Sequence, residues 1–363
     1  MIKTSKSMKK LLIAMSGGVD SSVAAYLMKE QGYSCIGATL KLFHNDDIGA
    51  ARERTCCSLE DVEDARSVAH KLEIPYYVFN FSEHFREKVI DKFVRLYENG
   101  MTPNPCIDCN RYLKFGKLLL RAKELHCDFV VTGHYARIEY DATFGRYLLK
   151  KALHPDKDQS YALYAMTQDQ LAHTLFPLGG LTKQEVRQVA QRHGFVNAGK
   201  QDSQDICFVQ NRRYADFIEQ YTGHSYPEGD FVDARGNILG AHKGIIRYTL
   251  GQRKGLGVSA AEPLYVCDIN PESNAVTLGT NAKLYSKVLT AKNINLIAAS
   301  RIDKPVRLKA KTRYRQPAQW AVVTQTDHDT LVVEFEKPQR AITKGQAVVL
   351  YDGDIVVGGG TIQ

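Results

Sequence analysis

The 363-residue sequence predicts an α/β protein in which a doubly wound parallel sheet is followed by two β-rich segments. Up to about residue 214, short apolar runs alternate with segments that have helical periodicity. After that point glycines punctuate short strands, and from Tyr285 onward only short alternating strands remain. The last pattern suits a small antiparallel barrel. We therefore predict domains at residues 1–214, 215–284 and 285–363.

The strands of the predicted parallel sheet are apolar runs at residues 11–15, 35–40, 76–81 and 129–132. Apolar residues with helical spacing follow the first strand after residue 22, and they follow the second strand in a segment that a cap at Ser58 begins and that extends to residue 72. Two further segments of this kind, residues 85–97 and 118–125, lie between the third and fourth strands. Ligands of such sheets bind at the carboxyl ends of the strands. We therefore expect the functional site there.

The elements after residue 132 are shorter. Residues 137–149 read as a hairpin, and Thr182 with Glu185 forms a capping box for a helix that ends at Gly194. A loop at residues 197–204 precedes the apolar residues 206–209, and a short helix covers residues 214–221. Residues 244–256 are expected among the glycine-punctuated strands of the central domain.

The segment Ser16–Ser22, SGGVDSS, lies between the first predicted strand and a helix. Gly17 and Gly18 allow the backbone to approach a phosphate, and a helix N-terminus favours an anion. The sequence contains neither the P-loop pattern with its lysine nor the G-x-G-x-x-G fingerprint. An ordinary capped turn is the alternative. We predict that this segment binds a phosphate. Since Leu40 and Gly133 also lie at or just after strand ends, we expect a nucleotide there, with Leu40 beside its base and the backbone at Gly133 passing close to the base.

Composition limits the class of protein. Hydrophobic residues make up 44% and charged residues 24%, and no apolar run approaches the ~20 residues of a membrane span. The lysine-rich start precedes too short an apolar run for a signal peptide, so we expect a cytoplasmic protein without a membrane partner. Eight cysteines in such a chain argue against a disulfide framework. The net charge of +8 is concentrated after Leu284, which favours a polyanionic partner.

Three cysteines stand out. Cys106 and Cys109 form a C-x-x-C pair after Pro103 and Pro105, which predict an extended loop with both thiols on one side. Such a pair can be a zinc half-site, a redox pair, a cluster half-site or a nucleophile with its neighbour. A zinc ribbon would need a second C-x-x-C, and the sequence has none. The third is Cys207, in the stretch SQDICF.

The SGGVDSS loop resembles the PP-loop of N-type ATP pyrophosphatases, which cleave ATP between its α- and β-phosphates. Taken together, seven stretches resemble the tRNA-specific 2-thiouridylase family, in the same order along the chain. These stretches are residues 16–22, 102–110, 132–135, 157–160, 203–208, 244–256 and 312–315. The resemblance implies an ATP-pyrophosphatase domain, a small central domain and a C-terminal β-barrel. It also implies ATP-dependent thiolation of the wobble uridine of tRNA.

The resemblance implies ATP and Mg²⁺ as cofactors. Asp20 is expected either to bind Mg²⁺ or to cap the helix. The expected ATP-binding residues are Ala14, Met15, Ser16, Gly17, Gly18, Val19, Asp20, Ser21, Leu40 and Gly133.

For sulfur transfer, the resemblance implies that Cys207 carries a persulfide and Cys109 is the nucleophile, the two ending as a disulfide. The alternative is that Cys106, Cys109 and Cys207 hold a [4Fe–4S] cluster whose open iron binds sulfide. Many relatives carry Asp at the position of Cys106, which leaves the acid/base role of that Asp unassigned here. A cysteine desulfurase or a sulfur-relay protein is the expected persulfide donor.

The resemblance implies tRNA as substrate, with the lysine, glutamate and glutamine tRNAs expected. Its contacts are expected at Asn104, Pro105 and Cys106, which would line a pocket for the flipped base, and at His134, Lys157, Asp158, Gln159, Arg313, Tyr314 and Gln346. Alternation also places five cations on one face of a predicted strand, which suits a phosphate backbone. They are Arg307, Lys309, Lys311, Arg313 and Arg315. The alternative for this stripe is the solvated face of an edge strand.

Other functions remain open from the residues alone. One is a small-molecule adenylating enzyme of the amidotransferase-type synthetases, although nothing in the sequence looks like a glutaminase. Another is a tRNA-binding protein whose nucleotide site only switches its conformation.

Overall fold

The computed structural model describes residues 8–43, 59–202, 206–209 and 213–363. Contacts divide the chain into two compact units. The first unit comprises Met1–Lys88, Cys106–Gln210 and Asp354–Val356, and the second comprises Val89–Pro105, Asn211–Gly353 and Val357–Gln363. The predicted cap at Ser58 lies outside the described residues.

A parallel sheet forms the centre of the first unit, in the strand order β3-β2-β1-β4-β7. Its strands are β1 Lys10–Ala14, β2 Ser34–Lys41, β3 Tyr76–Asn80, β4 Phe129–Val131 and β7 Thr174–Leu175. The chain builds outward from β1 to β3 and then returns to the other side of β1 with β4. This reversal places a topological switch point between the carboxyl ends of β1 and β4, where doubly wound sheets bind ligands. The predicted fold class is confirmed.

The described α-helices are α1 Val19–Glu30, α2 Leu59–Lys71, α3 Ser82–Phe85, α4 Asp91–Glu98, α5 Pro105–Asp108, α6 Leu118–Glu124, α7 Ser160–Leu163, α8 Gln168–Ala172, α9 Lys183–Arg192 and α10 Tyr214–Thr222. Two π-helical segments, Arg86–Ile90 and Cys109–Lys117, join α3 to α4 and α5 to α6. Short 3₁₀ turns lie at Pro155–Lys157, Ile245–Arg247 and Asn281–Leu284. None of the helices in the described ranges is long and apolar enough to cross a bilayer.

The core of the first unit lies around β1 and α1. Leu11, Ile13 and Val23 are fully buried and belong to one apolar cluster. Burial of each such side chain stabilises the folded state by about 1.5–3 kcal/mol. A close-packed core of this kind holds the loop between β1 and α1 in a fixed position.

The first unit also contains an antiparallel hairpin of β5 Ala136–Asp141 and β6 Arg146–Lys151, as predicted. Residues Ile355 and Val356 of the same unit pair with β6.

The second unit contains two sheets. One has the order β10-β11-β8-β9, formed by β8 Gly229–Val232, β9 Ile238–His242, β10 Tyr265–Asn270 and β11 Ala275–Gly279. The other is an antiparallel six-stranded barrel that closes through pairing of its first and last strands. Its strands are β12 Tyr285–Leu296, β13 Val306–Lys311, β14 Gln319–Gln325, β15 Leu331–Arg340, β16 Ala347–Asp352 and β17 Ile355–Ile362, of which residues 357–362 belong to the second unit.

The prediction of a strand within residues 244–256 is wrong. This stretch contains the 3₁₀ turn Ile245–Arg247 and otherwise irregular backbone. Gly244, Gly251 and Gly255 have φ of 91°, 85° and 79°. These left-handed values are incompatible with a strand, and glycine is the residue that adopts them at low cost.

Candidate functional site

The loop between β1 and α1 presents a helix N-terminus at the switch point of the sheet. Helix α1 begins at Val19, and no side chain among the described residues caps it. The hydroxyls of Ser21 and Ser22 instead donate to the carbonyl oxygen of Gly18, at 3.0 and 3.1 Å. The N–H groups of the first turn therefore remain available for an anion such as a phosphate.

Glycines allow close approach on both sides of this loop. Gly17 has φ +74°, and a Cβ there would lie 2.3 Å from the carbonyl oxygen of Asp61. A Cβ on Gly133, after β4, would lie 2.8 Å from the carbonyl carbon of Asp20. The structure thus brings Gly133 against the first turn of α1. Gly18 differs, because among the described residues its Cβ would approach only the Ser16 hydroxyl, at 3.4 Å.

Replacement of Gly17 by alanine is expected to destabilise the protein. A side chain at positive φ costs about 1–3 kcal/mol, and the collision with the backbone at Asp61 adds to that cost. Urea unfolding should show a lower midpoint for Gly17→Ala than for Gly18→Ala. Equal midpoints would contradict this account of the loop.

Asp20 does not cap α1, so the structure removes that alternative. The cap position is Gly18, and the Asp20 carboxylate accepts from the Tyr135 hydroxyl at 2.8 Å and from Lys183 Nζ at 2.7 Å. Burial, reinforced by the Asp20 charge, raises the pKa of Tyr135, so its hydroxyl stays protonated and donates. Asp20 is therefore oriented by two donors from outside the loop.

Asn197 supports the loop from a third direction. It is 3% exposed, and its Nδ2 donates to the Gly17 carbonyl and to the Ser22 hydroxyl, both at 2.9 Å. Its Oδ1 is buried and has no hydrogen-bond partner among the described residues. Three residues later, Lys200 pairs with two carboxylates of α2, with its Nζ 2.6 Å from both Asp61 and Asp64. The segment after α9 is thus fixed to the loop and to α2.

The other predicted nucleotide residues lie at the carboxyl edge of the sheet. Ala14 ends β1, and Met15 N donates to the carbonyl of Ala38 on β2 at 2.8 Å. Leu40 is buried near the end of β2. The open helix N-terminus and the close glycine approach fit a nucleotide phosphate at this edge.

The expected role of Asp20 as a Mg²⁺ ligand stays a prediction, and one or two protein carboxylates suffice for Mg²⁺ that a nucleotide also holds. Within the described ranges, no group of three or more His, Cys, Asp or Glu side chains could hold a metal ion. The thiols of Cys106, Cys109 and Cys207 therefore do not form a ready cluster site in this structure.

The cysteine pair lies on a helix, and the predicted extended loop is wrong. Pro105 begins α5, a position that proline favours because its missing N–H has no helical partner there. Cys106 is exposed, whereas Cys109 is buried and begins the nine-residue π-helical segment. Segments of π-helix are rare and frequently occur at functional sites.

Cys207 is partly buried. Its neighbour Phe208 packs edge-on against Phe85 of α3, with ring centroids 5.7 Å apart. Helix α3 also contacts the segment that begins at Cys109. The two proposed catalytic cysteines therefore lie on segments that pack against the same short helix.

Three other described cysteines are poor candidates for a reactive thiolate. Burial raises the pKa of Cys35 to about 11. Burial also raises the pKa values of Cys127 and Cys267. Such thiols stay protonated at neutral pH and are weak nucleophiles.

The predicted tRNA residues of the first unit mostly serve the local structure. His134 is buried, with Nδ1 2.7 Å from the Thr132 hydroxyl, and burial and the charge of Lys114 hold its pKa well below the usual value. Asp158 accepts from the Ser160 hydroxyl at 2.8 Å. The side chain of Gln159 accepts from the backbone N–H of Tyr135 at 2.9 Å.

In the second unit, Gln346 holds the backbone just before Asn104. Its Nε2 donates to the carbonyls of Thr102 and Pro103, both at 3.0 Å. Asn104 is partly buried and Pro105 is buried. Gln346 thus fixes the backbone at Thr102 and Pro103.

The five-residue cation stripe is wrong as predicted. Strand β13 ends at Lys311, and a turn follows. Arg313 instead donates to the Ala341 carbonyl at 3.0 Å and to the Thr343 hydroxyl at 2.6 Å. Tyr314 is exposed in the turn. The alternation failed because these buried carbonyl and hydroxyl acceptors draw the guanidinium inward.

Cations that do lie on β13 stack on an aromatic side chain. The guanidinium of Arg307 lies 3.9 Å and the Lys309 ammonium 5.1 Å from the ring of Trp320 on the neighbouring strand. Arg307 also pairs with Glu336. The barrel thus exposes a surface that combines cations with an aromatic ring.

An ion network extends from Asp20. Lys183 Nζ lies 2.6 Å from Asp202, and Asp202 also accepts from Lys157 at 2.7 Å and Arg187 at 3.3 Å. Partial burial opposes ionisation of Asp202, but the lysine hydrogen bonds outweigh it and lower its pKa. Lys183, Asp202 and Asn197 are functional candidates that the sequence does not predict. One signal was present: Lys183 is a cation at the first position of a helix, where the helix dipole disfavours it.

Three family models match consecutive parts of the chain. They are described as a tRNA methyl transferase HUP domain at residues 9–211, a tRNA methyl transferase PRC-barrel domain at 215–280 and an aminomethyltransferase β-barrel domain at 286–362.

Curated relatives match over nearly the whole length. A protein of Clostridioides difficile named tRNA-specific 2-thiouridylase MnmA is 53% identical, over 98% of each chain. A protein of the same name from Acetivibrio thermocellus is 51% identical, over 98% of this chain and 100% of its own. Among solved structures, NMN synthetase from Francisella tularensis covers 61% of this chain and 80% of its own at 16% identity, with a TM-score of 0.35.

Proposed function

The chain belongs to the tRNA-specific 2-thiouridylase family, and from this membership we propose that it replaces the 2-oxygen of a tRNA wobble uridine by sulfur at the expense of ATP. The observation that carries the proposal is the 53% identity over 98% of both chains to a relative named for that activity. The geometry of the phosphate loop and of the cysteines supports it. The name of the relative gives the reaction class, and the residues of the phosphate loop and the cysteines suggest the individual steps.

The first proposed step activates the uracil. The 2-carbonyl oxygen is a poor leaving group and must be activated before sulfur can replace it. It attacks the α-phosphorus of ATP, which releases pyrophosphate and converts the oxygen into an adenylate ester. The first-turn N–H groups of α1 would bind the departing pyrophosphate, because they carry no side-chain cap from the described residues. Asp20, oriented by Tyr135 and Lys183, would hold the Mg²⁺ that offsets the phosphate charge.

The second proposed step transfers sulfur. The terminal sulfur of a Cys207 persulfide attacks C2 and expels AMP. The Cys109 thiolate then attacks Sγ of Cys207, which frees the 2-thiouridine and leaves a Cys109–Cys207 disulfide. Packing of both cysteine segments against α3 supports this pairing. A cysteine desulfurase or a sulfur-relay protein would load the persulfide, and a cellular reductant would reopen the disulfide.

The proposed substrates are the lysine, glutamate and glutamine tRNAs. Asn104, Pro105 and Cys106 would line the pocket of the flipped base, and Gln346 would act by holding the backbone before them. Within the expected tRNA set, Cys106 and Tyr314 are exposed, and the Lys157 side chain is 41% exposed. We propose boundaries near residues 214 and 284 for the catalytic, central and barrel domains.

The products of ATP cleavage test the proposal directly. With unmodified tRNA, a persulfide donor and [α-³²P]ATP, we expect AMP as the labelled product and release that depends on the tRNA. A conformational ATPase would give ADP, and a small-molecule adenylating enzyme would form AMP without tRNA. Either of these results would reject the proposed function.

Cations of β13 are expected to contribute to tRNA affinity through phosphate contacts. The double variant Lys309→Gln, Lys311→Gln should reduce the slope of log affinity against log salt concentration by about 1–2 units. The matched variant Arg313→Gln should lower the unfolding midpoint instead, because Arg313 bonds within the barrel. An unchanged slope for the double variant would assign the stripe to a solvated strand face.

A further inference from the structure

We propose that Asp202 is a positioning residue that couples MgATP binding at the phosphate loop to tRNA contact at Lys157. The inference rests on the proposed function and names a device within that same site. Its basis is one continuous row of ion pairs from Asp20 through Lys183 and Asp202 to Lys157.

Lys183 is the shared member of this row. Its ammonium lies 2.7 Å from Asp20 and 2.6 Å from Asp202, and its side chain is 14% exposed. Solvent screens such ion pairs only weakly. A change of charge at Asp20 or Asp202 therefore alters how strongly the other carboxylate attracts the Lys183 ammonium. The cation stands between the loop and the rest of the network.

Three cations compete for the carboxylate of Asp202. It accepts from Lys183, Lys157 and Arg187. The Lys157 side chain is 41% exposed, so it is accessible to a phosphate of the tRNA backbone. When a phosphate takes Lys157, Asp202 loses one of its cations and holds Lys183 more strongly.

The consequence reaches the phosphate loop. A stronger hold by Asp202 draws the Lys183 ammonium from Asp20, and the Asp20 carboxylate then attracts Mg²⁺ more strongly. Binding of tRNA should therefore tighten binding of MgATP, and linkage requires MgATP to tighten tRNA binding by the same factor. The coupling would favour MgATP binding by the complex that holds a substrate tRNA.

The test measures affinity rather than turnover. The dissociation constant of the full-length protein for the Mg²⁺ complex of α,β-methylene-ATP is measured by titration calorimetry, with and without saturating unmodified tRNA transcript. For the wild-type protein we expect about tenfold tighter binding with tRNA, within the usual range of coupling between sites. In Asp202→Asn the factor should fall to about 1–2, and Asp202→Glu should restore much of it.

Lys157→Gln supplies a second, opposite signature. Loss of the Lys157 cation mimics its capture by tRNA, so MgATP-analogue binding without tRNA should be several-fold tighter than in the wild-type protein. In Asp202→Asn it should be weaker, since Lys183 then pairs with Asp20 alone. A purely structural role for these residues would weaken binding in both variants.

Asp64→Asn is the matched control, because it removes one carboxylate from the Lys200 pair beside the same loop without touching Lys183. It should keep the wild-type coupling factor. A wild-type factor near 1, unchanged coupling in Asp202→Asn, or weaker nucleotide binding in Lys157→Gln would each overturn the inference. If tRNA thiolation persists in that case, the proposed function stands. Absence of thiolation by the wild-type protein would instead reject the function itself.

Discussion

Cys109→Ser and Cys207→Ser are each expected to abolish formation of 2-thiouridine, a loss of roughly a thousandfold or more. On the proposed route Cys207 carries the transferred sulfur and Cys109 releases it, and a serine hydroxyl can do neither. Cys106→Ser should keep substantial activity, because Cys106 is an exposed neighbour without a transfer step. Nucleoside mass spectrometry after incubation with a persulfide donor gives the yields. The buried Cys127, whose pKa is raised by burial, provides the control Cys127→Ser.

The cluster route predicts a different pattern for the same variants. If Cys106, Cys109 and Cys207 hold a [4Fe–4S] cluster, all three serine variants should fail alike. Protein purified without oxygen should then contain iron and acid-labile sulfide, about four of each per chain. That iron together with an inactive Cys106→Ser would overturn the persulfide assignment.

Gly18→Val is expected to abolish nucleotide binding while leaving the fold near wild-type stability. Gly18 has φ −91° and ψ 161°, which valine adopts readily, and within the described part of the chain its Cβ would meet only the Ser16 hydroxyl, at 3.4 Å. The added methyl groups therefore fill the space that a phosphate needs at the N-terminus of α1. We expect affinity for ATP to fall about 100-fold or more.

Gly180→Val is the matched control, since Leu153 is the one residue of the described ranges that its Cβ would approach, at 3.8 Å. Both variants should show urea unfolding midpoints close to that of the wild-type protein. Normal ATP binding and tRNA-dependent AMP release by Gly18→Val would refute the assignment of the phosphate loop.

Asp20→Ala should also lose turnover, through loss of the expected Mg²⁺ ligand.

The phosphate loop could be predicted from the sequence because its parts are consecutive. A buried strand, two glycines and a helix stand within residues 10–30, and local backbone preferences define them. The alternation of strands and helices likewise predicted the parallel sheet. The barrel was predicted from the short alternating strands after Tyr285.

The ion network could not be predicted in this way. Lys183 and Asp20 stand 163 positions apart, and Asn197 is 180 positions from Gly17. Packing of α9 against α1 in the folded protein brings these segments together. Nothing in the local sequence of Asn197 or Asp202 distinguishes them from ordinary loop residues.

Two errors arose from competing local preferences. Pro103 and Pro105 predict an extended loop, but proline also favours the first position of a helix, and α5 begins at Pro105. Alternation predicts Arg313 on a strand face, but the carbonyl of Ala341 and the hydroxyl of Thr343 draw it inward. In each case the sequence pattern fits two structures, and tertiary contacts select one.

Mass spectrometry of tRNA nucleosides tests the central claim most directly. The purified protein is incubated with unmodified glutamate tRNA transcript, ATP, Mg²⁺ and a persulfide donor, and the tRNA is digested to nucleosides. The account predicts one 2-thiouridine per tRNA, at the wobble position, with one AMP formed for each. Unmodified uridine after complete loading of the Cys207 persulfide, or thiolation that proceeds without ATP, would contradict it.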